Sequence, residues 1–300
     1  MSAASTPAPG IAAAPVASET QQPKSGLSRI VHRYPPLALG ATLLAVLMAI
    51  AALAPLLGTV DPSVPSPINR TLPPSASFWF GTDMLGRDLY SRVIYGARVS
   101  LTVGLSVALL ASLFGSIIGF VSGSVRWSDA FIMRVMDGLM AIPPVLLAIA
   151  FMTLTRASIA NVILAIAIAE TPSVARLVRA TVLSLREQPY IDAAIVAGTP
   201  PAMIIWRHLL PNAVAPIAVQ ATYICAAAMI IEAVLSFIGA GIPSVIPSWG
   251  NIMADGRALW QVKPYIIFFP ALFLSVTVLS VNLLGDGLRD ALDPRATGTL

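Results

Sequence analysis

Charge, cysteine and histidine are all scarce in this 300-residue chain, and each scarcity removes a class of function. Only 11% of the residues are charged and 57% are apolar, whereas an average soluble domain carries roughly 25% charged residues. Such a chain is an integral membrane protein. The one cysteine, Cys225, lies inside an apolar run and has no partner for an intrachain disulfide, so it says nothing of redox compartment. Two histidines, His32 and His208, without HExxH or CxxC spacing, leave too few ligands for a protein-built zinc site. The formal net charge of +4 is scattered among loops, with no basic face and no interleaved aromatics, which excludes a nucleic-acid partner.

What is there is apolar length. A helix needs about 20 residues to cross ~30 Å of hydrocarbon, and six runs approach that: Pro36 to about Gly58, Ser100 to Gly123, Ala130 to Thr153, Ser158 to Ser184, Ala213 to Gly241, and Tyr265 to Leu284. The pattern lacks the short alternating segments of a barrel, so the expected fold is all-α with six transmembrane helices. The first run begins too far from the start, and is too long, for a secretory signal. Residues 1–35 read as a tail: Ala, Pro, Ser and Thr bury too little surface to offset chain entropy. The expected organisation is then a tail (1–35), a first span (36–58), a loop with an amphipathic segment (59–99), a five-span core (100–288) holding a polar loop at 185–212, and a second tail (289–300).

Six spans put both termini on one side of the membrane. Of the 18 Lys and Arg, eleven fall on that side and seven on the other, which by the positive-inside rule makes the termini cytoplasmic. Arg87, Arg92 and Arg98 pull against the rule. In the second span Gly115, Gly119 and Gly123 form a flat strip for a close neighbour, either inside the bundle or at a dimer seam.

The polar loop carries the most information. In "YIDAAIVAGTPPAMIIWRHLLPN" (Tyr190 to Asn212) a short helix must stop at Gly198, and Thr199 with Pro200 is expected to restart it, threonine capping and proline in the first turn. Ile191, Ala194 and Ile195 share one face, and Tyr190, Ala193 and Ala197 a smaller, partly polar one. Composition alone allows a helix lying in the headgroups; the spacing suggests a peg.

Asp192-Ala193-Ala194, three residues, Gly198, nine residues, then His208-Leu209-Leu210-Pro211 resembles the cytoplasmic coupling loop of ABC importer permeases, with Asp192 for the usual Glu. The variant Arg207 to Asn212 resembles that of peptide-type permeases. Gly81-Thr82-Asp83-Met84-Leu85-Gly86-Arg87-Asp88 with Ser91-Arg92 and Gly96 to Ser100, Ala175 to Arg179, Leu235 to Gly239, Ser248 to Asn251, and Asn282 to Asp290 are similar to further motifs of that family, in order. The resemblance covers about residue 37 to Arg295 and points to the second, "C"-type permease of dipeptide, oligopeptide or nickel uptake systems. It implies a type I importer bundle, a homologous permease partner, two cytoplasmic ABC ATPase subunits or domains holding ATP and magnesium, and an extracytoplasmic substrate-binding protein, all at a bacterial inner membrane. It makes Tyr190, Asp192, Ala193, Ala194 and Gly198 the ATPase-coupling residues. Glu170-Thr171-Pro172 departs from the pattern, where a tryptophan and no acid is expected.

Gly81 to Asp88 also mimics a phosphate loop, but Arg87 replaces Lys and Asp88 would turn a carboxylate toward phosphates. The chain is therefore expected to need no cofactor of its own and to catalyse no bond chemistry. Glu170 and Glu232 fall inside spans, where a charge costs at least ~2.5 kcal/mol unless it faces water or pairs; either they line a pathway or they are protonated or matched within the bundle, for example by Arg156. Trp249 and Asn251, in a loop that also holds Trp260, are candidates for interfacial anchoring or for contact with an external partner. The alternative to an importer subunit is an ATP-independent transporter or channel, favoured by Glu170 and Glu232 and disfavoured by the polar loop.

Overall fold

A computed structural model describes residues 33–292. Residues 1–32 of the expected tail, with Lys24 and Arg29, and residues 293–300, with Asp293 and Arg295, lie outside the described residues. The regular elements among the described residues are helices, joined by loops, with one isolated antiparallel bridge, Thr82 to Asp88. Five helices are long and apolar enough to cross a membrane: α1 (Pro35–Ala52), α2 (Leu89–Ser124), α5 (Ile159–Arg186), the run Pro201–Phe237 that ends in α8 (Leu210–Phe237), and α10 (Tyr265–Leu292). A bent pair, α3 (Arg126–Met140) and α4 (Pro144–Leu154), supplies a sixth.

That pair departs from the single span expected over Ala130 to Thr153. The two helices meet at 89°. Pro144 occupies the first turn of α4 and pushes Pro143 into an extended conformation (ψ 134°), so the chain turns a corner where one proline would have made a kink. Helix α2 starts earlier than expected, at Leu89, because Asp88 accepts a hydrogen bond from Ser91 N at 2.8 Å and caps it. Ser158 and Ser248 cap α5 and α9 (Trp249–Gly256) in the same way.

Helix α2 is the central post, packed along α5 and α8, while α1 lies against α10. The glycine strip of α2 belongs to the bundle. A Cβ on Gly119 would sit 2.6 Å from the Ala175 carbonyl oxygen of α5, and one on Gly123 would sit 2.8 Å from Val182 Cβ. Backbone cannot yield as a long side chain can. Gly119→Ala is therefore expected to cost about 1–3 kcal/mol as an overpacked contact, read as a lower Tm of the purified chain; an unchanged Tm would mean that α2 and α5 do not meet there.

At the end of the bundle away from Ser124, a loop folds over the start of α2. Arg98 donates to the carbonyls of Ala51 and Ala52, at 2.5 and 2.8 Å, and so closes the end of α1. Arg87 and Arg92 both bond Asp83 and Asp255 of α9: Arg87 to Asp83 at 2.6 Å and to Asp255 at 2.8 Å, Arg92 to Asp255 at 2.7 Å and also to Asp83. The three arginines that oppose the charge rule are thus spent inside the protein.

Candidate functional site

The polar loop lies at the Ser124 end of the bundle and folds as two short helices around a corner. Helix α6 (Pro189–Val196) has proline in its first turn and Asp192 near its positive end. It stops in a Schellman turn: Thr199 N donates to Ala194 O at 3.0 Å, Gly198 N to Ile195 O at 2.9 Å, and Gly198 has φ +78°. Helix α7 (Pro201–Ile204) follows, and a π-helical turn (Ile205–Leu209) leads into α8. Thr199 does not cap the restart as expected. Pro201 holds Pro200 extended (ψ 146°), so Pro200 takes the cap position and Thr199 falls one residue outside.

Ile191 is the anchor. It is buried in an apolar cleft with Ile204, Ile205 and Leu209, and Arg186 at the cleft mouth donates to the Gly123 and Ser124 carbonyls at the end of α2. Tyr190, Asp192, Ala193 and Gly198 are exposed, and Ala194 is half-buried. Ile195 lines the same cleft, on the face it was expected to share with Ile191, yet stays exposed; Val196, Met203 and Trp206 are exposed too, Val196 at 88%. The sequence reading missed these four as a surface. The available signal was an eight-residue helix with more large apolar residues than one face can bury.

Two charge pairs brace α5 above this loop. Arg179 grips both oxygens of Asp129 at 2.5 and 2.6 Å, and Arg176 meets Asp137 at 2.6 Å. On α10, Asp286 accepts a hydrogen bond from Tyr223 of α8 at 2.5 Å.

The two membrane carboxylates part company. Glu232 is fully buried, and its oxygens accept from Ser236 at 2.8 Å and, more loosely, from Ser100 at 3.5 Å. It lines no path in this conformation, and Arg156 is not its partner. Glu170 on α5 is half-buried, and no described residue bonds its side chain. Trp249 and Asn251 require a second correction. Trp249 is fully buried, its indole N–H donating to Val93 O at 3.1 Å. Asn251 spends its amide on the carbonyls of Ile242, Pro243 and Ile246 at 3.0–3.1 Å. Both are internal staples, Trp249 from α9 to α2 and Asn251 from α9 to the loop before it, and both are buried away from an outside partner.

The false phosphate loop, Gly81 to Asp88, is a tight turn around a carboxylate. Asp83 Oδ1 accepts from Leu85 N at 2.8 Å and from Arg87 N at 2.9 Å. Burial pushes this carboxyl up, but the Arg92 and Arg87 guanidiniums with the turn's N–H groups outweigh it, and the acid is held below its ordinary range.

The family described as "Binding-protein-dependent transport system inner membrane component" matches residues 111–298. Among its relatives, a probable peptide ABC transporter permease of Sinorhizobium fredii is 54% identical over 89% of this chain and 92% of its own length. A dipeptide transport system permease of Alkalihalophilus pseudofirmus is 42% identical (85% and 84% covered), and a glutathione transport system permease of Salmonella typhimurium is 46% identical (75% of each). A solved inward-facing structure of the MetNI methionine ABC transporter superposes with a TM-score of 0.58 at 18% identity, over 67% of this chain and 96% of that one, a likeness of fold alone. The chain belongs to the binding-protein-dependent transport system inner membrane components: it is a multi-pass permease subunit of an ABC importer, not itself an ATPase.

Proposed function

We propose that this subunit is the "C"-type permease of a peptide importer, and that α6 with its Schellman turn is the lever by which a cytoplasmic ATPase drives it. The observation that carries the reading is a helix anchored by one buried residue, Ile191, that turns Tyr190, Asp192, Ala193, Val196 and Gly198 outward with nothing among the described residues to cover them. Unpartnered apolar surface of this kind marks a docking site. Peptides are the proposed cargo because relatives over most of the chain carry peptide, dipeptide and glutathione in their names.

In this reading a homologous permease completes the pathway, an external binding protein delivers the solute, and ATP with magnesium stays in the ATPases. Both termini, loop 185–212 and tail 289–300 face the cytoplasm, and loop 59–99 faces outside. ATP binding draws two ATPases together, each closure shifts an α6, and the spans rock as rigid bodies to open the outer side. Glu170, half-buried and unbonded, is the carboxylate kept as a pathway candidate. With Glu232 tied to hydroxyls inside the bundle, one of the two features that favoured an ATP-independent transporter is gone.

Sidedness and cargo are both testable. A cysteine at position 192, in a Cys225→Ser background, should react with a membrane-impermeant maleimide in inverted vesicles and lose that reactivity when the ATPase is bound. Labelling from outside intact cells would overturn the scheme. Uptake of a radiolabelled dipeptide should be competed by unlabelled di- and tripeptides; an importer indifferent to peptides would overturn the cargo.

A further inference from the structure

The outer end of the molecule carries apolar surface that neither the bundle nor a lipid can explain. Its height follows from the helices. Helix α1 has 18 residues, about 27 Å at 1.5 Å per residue, which matches the ~30 Å hydrocarbon layer. Its outer end is pinned to Arg98 through Ala51 and Ala52. Helix α2 continues past Arg98 to Leu89, another ~13 Å, which exceeds the roughly 5–7 Å that headgroups add on each side. The loop wraps this projecting start, with Leu89 N donating to Gly81 O at 3.1 Å. With the length of α1 taken as the hydrocarbon layer, what the loop exposes lies beyond the headgroups.

Two stretches of that loop are bound back to back. Ser66 N donates to Leu85 O at 3.0 Å, Thr71 N to Asp83 O at 3.0 Å, and Gly86 turns at φ +75° with its Cβ position closed by Ser66. The joined turns hold out Ile68, 91% exposed, with Val64, Met84 and Leu85. The knob is stiff, because the charge quartet of buried Asp83, Arg87 and Arg92 with half-buried Asp255 lies beneath it. A rigid apolar projection in water is a costly feature for a chain to keep uncovered, and a preformed one loses little freedom on binding.

Charge identifies the occupant. Arg87, Arg92 and Arg98 are consumed internally, while Arg70 beside the knob and Arg257 near α9 remain exposed; the exposed acid on this loop is Asp61. The fitting surface is thus an apolar recess rimmed by carboxylates on a water-soluble protein. We propose that the Val64, Ile68, Met84 and Leu85 knob is the docking surface for the external solute-binding protein. The inference rests on the importer reading, and it relocates the partner contact from Trp249 and Asn251 to this loop.

The test uses the complete importer with its binding protein. A benzophenone amino acid at position 68 or 85, irradiated in intact cells, should form a cross-linked product whose partner is identified by mass spectrometry as an exported solute-binding protein. Ile68→Glu with Leu85→Glu should raise at least tenfold the binding-protein concentration needed for half-maximal ATPase stimulation in nanodiscs, with basal ATPase unchanged. Ile68→Ser with Leu85→Ser should do so more mildly, and Arg70→Glu should weaken docking most at low salt. Unaltered stimulation in the glutamate variant, or cross-links confined to lipid or to the companion permease, would overturn the docking site. A wild-type importer that no exported binding protein stimulates would overturn the importer reading and the docking site with it.

Discussion

Replacing Gly198 by glutamate should leave the protein inserted and folded while reducing coupled ATPase and peptide uptake more than tenfold. The geometry separates two costs that usually mix. Gly198 sits at φ +78°, and a Cβ there would meet no atom of another described residue within 4 Å. Any residue with a side chain therefore incurs a left-handed backbone cost of about 1–2 kcal/mol, nearly the same for alanine as for glutamate. Space inside the chain adds nothing to either. Gly198→Ala thus measures the turn and Gly198→Glu measures the turn plus whatever lies against it. We expect similar Tm values for the two variants, partial uptake for alanine and almost none for glutamate. If the two variants transport equally well, no partner surface closes over that turn and α6 is not the lever. Val196→Asp provides a second reading of the same surface, since Val196 is exposed and its substitution strains no backbone.

How much of this was legible in the sequence depends on range. The corner at Gly198 could be read because a Schellman turn needs only a glycine and its immediate neighbours, and the double proline likewise declares its own restart. Even there the cap was placed one residue early, since two prolines in a row displace each other's preferred positions. The Gly115, Gly119 and Gly123 strip announced close approach but not the neighbour, because Val174, Ala175 and Val182 approach from a separate helix. Trp249 misled for a related reason. A tryptophan in a loop near a membrane boundary looks like an anchor, and only the fold of α9 onto α2 shows the indole bonded to Val93. The exposed Ile195 and Val196 failed differently: periodicity reads apolar residues as core, and surface kept for a partner has the same chemistry as core. Least legible was the quartet, in which Arg87 and Arg92 reach Asp255 across more than 160 positions.

That quartet carries the largest stability effect we expect. Asp83 and Arg92 are fully buried, and Arg92 already keeps Nε and Nη2 without partners among the described residues. Asp83→Asn retains the Oδ1 acceptor that Leu85 N and Arg87 N use, but replaces the charged oxygen facing both guanidiniums with an N–H₂ donor. Two buried cations would then share Asp255 alone. Breaking a buried pair on one side costs about 3–5 kcal/mol, so the variant should melt far below wild type and be nicked by protease in the loop before Leu89. Asp255→Asn should cost less, since Asp255 is 25% exposed and water can take up part of the lost charge. The reverse order would mean that the quartet does not hold the outer loop. Proton titration probes the same contact. Because the folded state lowers the Asp83 pKa, its stabilisation is fully present above the ordinary carboxylate value of about 3.9 and is lost as pH falls through the lowered folded value. Wild type should therefore lose this contribution only in acid, and Asp83→Asn, which has no such proton to gain, should show a flatter Tm profile across that range.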